Sequence, residues 1–223
     1  MLAFDAQLAQ QVDAYIESLF VPEDPILAAN ITNADASGLP SINVSPNLGK
    51  FMYLIARMSG ARRVLEIGTL GGYSTTWLGR ALPADGRLIT LEFSPVHAEV
   101  ARRNLAAAEL NGVVDLRVGD ASAAMQAMID SGEPPFDLIF IDADKPAYVK
   151  YLDLCMRLSR PGTVILADNV IRNGGVMEQD PKDPSASGAK AYNEALAANP
   201  RLESIALPIF RDQLDGIAIS LVK

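Results

Sequence analysis

Apolar positions recur at helical spacing in residues 5–20, where Leu8, Val12, Ile16, Leu19 and Phe20 share one face. A looser stretch follows from Val21 to Pro46, with four prolines and the turn-like Ser37-Gly38; it is expected to be irregular. Helical spacing returns over Leu48–Met58. The pattern then alternates between short apolar runs and amphipathic segments. Strands are predicted at Arg63–Ile67, Arg87–Glu92, Val113–Val118, Phe136–Ile141 and Thr163–Ala167. Helices are predicted through Thr75–Ala81, from Ser94 to about Asn111, over Ala121–Asp130, Ala147–Leu158 and Ser187–Asn199. Ser94 with Pro95 and Ser187 provide N-terminal caps. Two closing segments, Leu202–Pro208 and Gly216–Val222, read as an antiparallel pair.

This βαβ rhythm predicts an α/β fold, a doubly wound and mostly parallel sheet of seven strands with an antiparallel C-terminal strand. Extra helices precede it. One domain is expected over 1–223, with a helical, lid-like segment at 1–45 and a Rossmann-like core from 60.

The 223 residues are 49% hydrophobic and 21% charged, ordinary for a globular chain, and carry a net charge of −8. No basic run exceeds a pair, so gripping a nucleic-acid backbone is disfavoured, as is an anionic membrane surface. No apolar stretch approaches the roughly 20 residues that span a bilayer, and the N-terminus lacks a basic signal region. Cys155 is the one cysteine and lies at apolar helical spacing, so a packed thiol in a reducing, cytoplasmic setting is expected.

In open parallel sheets ligands sit beyond the carboxyl ends of the strands. The first strand ends in Glu66-Ile67-Gly68-Thr69-Leu70-Gly71-Gly72-Tyr73-Ser74. Gly68 and Gly72 permit a tight turn and close approach to a ligand, but the spacing is not the dinucleotide G-x-G-x-x-G. Glu92 ends the second strand, where a carboxylate can accept a ribose diol. Asp120-Ala121, after the third, would border an adenine, although Asp120 also suits a helix cap. Glu66 at the turn would repel a pyrophosphate and suit a cationic amino acid group. The reading is S-adenosylmethionine rather than NAD.

The fourth strand ends in Asp142-Ala143-Asp144-Lys145 and the fifth in Asp168-Asn169. Asp142, Asp168 and Asn169 are three hard oxygen ligands, suited to Mg²⁺ first, then Mn²⁺ or Ca²⁺. Lys145 could take a proton or hold an oxyanion. His97, the single histidine, is expected at the surface.

With these residues placed, the chain resembles the cation-dependent O-methyltransferases that include caffeoyl-CoA and catechol O-methyltransferases. The resemblance runs from about Ile42 to the C-terminus. It rests on Val64-Leu65-Glu66-Ile67-Gly68, Gly72-Tyr73-Ser74, Ile141-Asp142-Ala143-Asp144-Lys145, and Asp168-Asn169 with Asn173-Gly174. It implies that Val44, Glu66, Gly68, Thr69, Ser74, Glu92, Ala121 and Asp144 contact the methyl donor. It further implies Asp142, Asp168 and Asn169 as metal ligands, Asn173 facing an ortho-dihydroxy aromatic acceptor, and a homodimer. A mobile lid is expected from Arg172 through Ala186. Methylation of a hydroxylated tRNA base and a non-catalytic nucleoside-binding protein are the alternatives.

Overall fold

The computed structural model describes residues 6–210 and 213–223; residue 5, the expected start of the first helix, lies outside them. Three helices come first: α1 (Ala6–Phe20), α2 (Pro25–Ala36) and α3 (Pro46–Met58). The core then follows as β1 (Arg63–Ile67), α4 (Tyr73–Ala81), β2 (Arg87–Glu92), α5 (Pro95–Ala107), β3 (Val114–Val118), α6 (Ala121–Asp130) and β4 (Leu138–Ile141). It continues through α7 (Tyr148–Arg157), β5 (Val164–Asp168), α8 (Pro184–Ala198), β6 (Leu202–Phe210) and β7 (Leu214–Val222).

The seven strands form one sheet in the order β3-β2-β1-β4-β5-β7-β6. β1 to β5 pair in parallel, and β7 runs antiparallel to both β5 and β6. The fold expected from the sequence is the one observed. The winding reverses between β1 and β4, and a crevice forms at the carboxyl ends on either side of such a reversal.

Strand alternation divides the core in two. Leu65, Ile67, Ile139 and Ile141 face α6, α7 and α8, where Met125, Tyr148, Cys155 and Tyr192 complete one layer. Val64, Leu138 and Phe140 face the other way, onto Met52 of α3 and Trp77 and Leu78 of α4. Cys155 is packed in that first layer, as expected, and burial pushes its thiol pKa up.

Two local readings need correction. The stretch expected to be irregular contains α2, whose start is set by the Asp24 side chain accepting from the Ile26 and Leu27 amides, with Pro25 in the first turn. Proline breaks a helix interior but fits its first turn, where its missing N–H is not needed. Likewise α8 starts at Pro184, capped by Asp183 rather than Ser187. The segment after β5 includes a short 3-10 turn at Arg172–Met177. Among the described residues no helix is long and apolar enough to cross a membrane.

Candidate active site

A cavity of about 870 Å³ opens at the carboxyl ends of β1 to β5. That volume suits a nucleoside-sized molecule together with a small second ligand. Its wall includes Val44, Gly68, Thr69, Ser74, Glu92, Asp120, Ala121, Asp142, Asp144, Lys145 and Asn169. Residues from five strand ends and from the segment before α3 thus meet in one place. Glu66, Gly72, Asp168 and Asn173 are off this wall: Glu66 and Asp168 are buried beneath it, Gly72 starts α4, and Asn173 is exposed.

The β1 turn is built by backbone that only glycine adopts at ease. Gly68 has φ +100°, and a Cβ there would lie 2.0 Å from the Asp142 carbonyl oxygen. That contact brings the end of β1 against the end of β4 and leaves no room for any other residue.

Beneath the turn, the Glu66 carboxylate is fully buried on the α4 face of the sheet. Ser74 Oγ donates to it at 2.6 Å and Thr90 Oγ1 at 2.7 Å, and Thr75 Oγ1 is a third donor. Burial raises its pKa to about 7; the three hydroxyls pull it down, and the Asp142 charge pushes it further up. Three hydrogen bonds therefore do not fully replace lost hydration.

Glu92 is held with less compromise. Its Oε2 accepts the amides of Thr69 (3.2 Å) and Leu70 (2.8 Å), and Oε1 accepts that of Ser94 (2.9 Å). His97 Nδ1 lies 3.3 Å from Oε1 and its ring lines the cavity. His97 stays partly exposed, and because α5 starts at Pro95 its first turn also brings residue 97 over the strand end. Asp120 serves both of its weighed roles, lining the cavity while capping α6 by accepting from Ala123 at 2.7 Å.

The β4 and β5 ends differ in character. Asp142 Oδ1 is 2.9 Å from Lys145 Nζ, and the ammonium stands 5.2 Å over the Tyr148 ring. Asp168 accepts from the Asn169 amide at 2.8 Å. Burial, with the neighbouring Asp142 charge, pushes the Asp168 pKa up from the usual carboxylate range. Asn169, Arg172 and Asn173 all hold left-handed backbone, with φ of 57°, 52° and 52°. Strain gathered in so short a stretch is typical of functional loops.

Sequence reasoning missed several wall residues: Ile42, Asn43, Tyr73, Phe93, Lys150, Tyr151 and Arg172. Tyr73 and Phe93 adjoin recognised positions and could have been inferred. Tyr151 had no local signal; it reaches the wall from α7 and donates to Asp144 Oδ1 at 2.6 Å.

No ring of three His, Cys, Asp or Glu side chains occurs among the described residues; the β4–β5 trio comprises two carboxylates and one amide. A hard divalent cation accepts such an all-oxygen set. Two adjacent carboxylates, one with its pKa raised, are offset here by Lys145. The residues present fit a cation.

Residues 18–222 match a family model described as O-methyltransferase. A catechol O-methyltransferase of Niastella koreensis is 45% identical, covering 97% of this chain and 99% of its own length. Another, from Mycobacterium tuberculosis, is 45% identical over 95% of each chain. The crystal structure of an O-methyltransferase from Bacillus cereus in complex with SAH superposes with a TM-score of 0.96 at 42% identity, covering 98% of this chain and 100% of that one.

Proposed function

Because the chain belongs to the S-adenosylmethionine-dependent O-methyltransferase family, we propose that it methylates one hydroxyl of an ortho-dihydroxy aromatic small molecule with the help of a divalent cation. The observation that carries this reading is the convergence of Asp142, Lys145 and Asn169 on the wall that also holds the glycine turn and Glu92, with Asp168 just behind. The names of the two catechol O-methyltransferase relatives support the same acceptor class.

The donor brings a methyl group already activated by its sulfonium. Gly68 and Thr69 let the backbone approach it, Gly72 lets α4 pack close to α5 behind them, and the buried charge of Glu66, through Ser74, favours its ammonium. Glu92 keeps free lone pairs for the ribose hydroxyls while its backbone bonds hold it still. Val44, Asp120, Ala121 and Asp144 border the rest of the nucleoside.

Asp142, Asp168 and Asn169 are the residues to hold Mg²⁺, with Mn²⁺ and Ca²⁺ as substitutes. A cation bound there would lower the pKa of an attached hydroxyl. Lys145 balances the developing oxyanion by its charge, anchored by Asp142 below it. Asn173, exposed and off the wall, is assigned to the acceptor side by the family resemblance alone. Holding both reactants in register supplies much of the rate, since an activated donor needs little further chemistry.

The deciding experiment compares catechol with phenol, in chelator and with Mg²⁺ added back. Methylation of catechol alone, lost in chelator and restored by Mg²⁺, is expected. Full activity in chelator removes the cation from the reading.

We also read the whole chain as one methyltransferase domain that works as a homodimer. Val12, Tyr15 and Leu19 of α1 and Ile205 and Leu207 of β6 expose a broad apolar surface where these elements adjoin. Light scattering that gives a monomer mass at micromolar concentration removes this part.

A further inference from the structure

The parallel ladder joining β4 to β5 runs from Leu138↔Val164 to Ile141↔Ala167 and ends there. The next residues along the two strands are Asp142 and Asp168. Like charges at neighbouring strand ends repel, and here the ladder that would resist their separation has stopped.

A phenol bridges the strands at this point. Tyr148 Oη lies 3.2 Å from the Ile141 carbonyl oxygen and 3.0 Å from that of Asp168, sharing its proton between them. The residue is fully buried, so no water can replace these bonds. Tyr192 packs on its ring at 71° with centroids 5.3 Å apart. Lys145 Nζ stands 5.2 Å above the same ring. From α8, Gly188 presses on the Lys145 backbone so closely that a Cβ would come 2.3 Å from its carbonyl oxygen. One side chain therefore touches both carboxylate-bearing strand ends and the lysine between them.

We propose that Tyr148 is the positioning residue of the acceptor site: its hydroxyl sets the spacing of Asp142 and Asp168, and its ring seats Lys145. This rests on the divalent-cation reading above. Groups behind metal ligands commonly tune affinity by orienting them, and Tyr148 does so through the backbone that carries the ligands rather than through their carboxylates.

Tyr148→Phe deletes only the hydroxyl and keeps the ring. Calorimetric titration of the metal-free protein with Mn²⁺ should show affinity weakened by about 10-fold. Titration with SAH should stay within about two-fold of wild type, because most of the donor pocket lies at the ends of β1, β2 and β3 and the Tyr148 hydroxyl touches none of it. Raising Mg²⁺ to saturation should restore the kcat of the Phe variant. Tyr148→Leu, which also removes the seat of Lys145, should not recover at any Mg²⁺ concentration; should it fail to fold, the Phe comparison stands by itself.

A Phe variant with wild-type Mn²⁺ affinity overturns the proposal and leaves the cation reading intact. Parallel loss of Mn²⁺ and SAH binding overturns it too, since that is general loosening. Wild-type protein that binds no Mn²⁺ overturns the cation reading and this inference together.

Discussion

The two halves of the cavity rim hold their carboxylates in opposite ways. On the β1–β2 side, Glu66 accepts three hydroxyl bonds and Glu92 three backbone N–H bonds with a histidine beside it. On the β4–β5 side, Asp142 leans on Lys145, and Asp168 accepts one amide from its own neighbour. The first half is hydrogen-bonded several times over by the protein itself, although burial still raises the Glu66 pKa to about 7. The second sets one lysine against two carboxylates, and left-handed backbone occurs on both sides, at Leu70 as well as at Asn169, Arg172 and Asn173. Redundant bonds make a preformed pocket for a ligand of fixed shape, while an undersupplied carboxylate pair is suited to a partner carrying the missing charge.

This contrast predicts unequal sensitivity to single changes. The largest effect is expected for Asp168→Ala, which removes half of the carboxylate pair. Turnover of catechol should fall on the order of 10³-fold, the several kcal/mol a Lewis acid supplies. SAH binding measured on the same protein should hardly move. Equal losses in turnover and SAH binding would erase the distinction between the halves.

An intermediate effect is expected from the pH dependence of Glu66. An unfolded chain ionises this group near its ordinary 4.5, whereas the folded protein keeps it protonated up to about 7. A raised carboxyl pKa means stability is lost as pH rises through that window, by about 3 kcal/mol at most. Glu66→Gln should remove this slope in thermal melts. A cationic donor favours the ionised form, so S-adenosylmethionine affinity should climb with pH to about 7 and then level, and the Gln variant should be flat. A flat wild-type profile would detach Glu66 from donor binding.

The smallest effect is expected at His97. Glu92 keeps its three amide bonds without the imidazole, so His97→Gln should weaken donor binding by less than about five-fold, the scale of a partly exposed pair. A loss of 100-fold or more would show that the donor half lacks the redundancy described here.

Much of this was legible along the chain. Period-two and period-3.6 patterns fixed the strands and most helices, and the strand-end rule picked out Glu92, Asp142 and Asn169 as rim residues before any coordinates. The misses share a cause. Helix α2 has little amphipathic pattern because its buried face mixes the polar Asn30 with Leu27 and Ala34, and Pro25 at its start reads as a breaker. His97 and Tyr151 act at the rim from helices and Tyr148 from beneath it, and which way a helix face points depends on the sheet it packs against.

The sequence by itself determined the order of elements, the sheet and the residue types at each strand end, because alternation and turn chemistry are local. Only the tertiary structure decided that three hydroxyls meet on Glu66, that His97 comes beside Glu92, and that one buried phenol spans two strands. Those facts depend on separations between residues distant in the chain, which burial and packing set and no local pattern encodes.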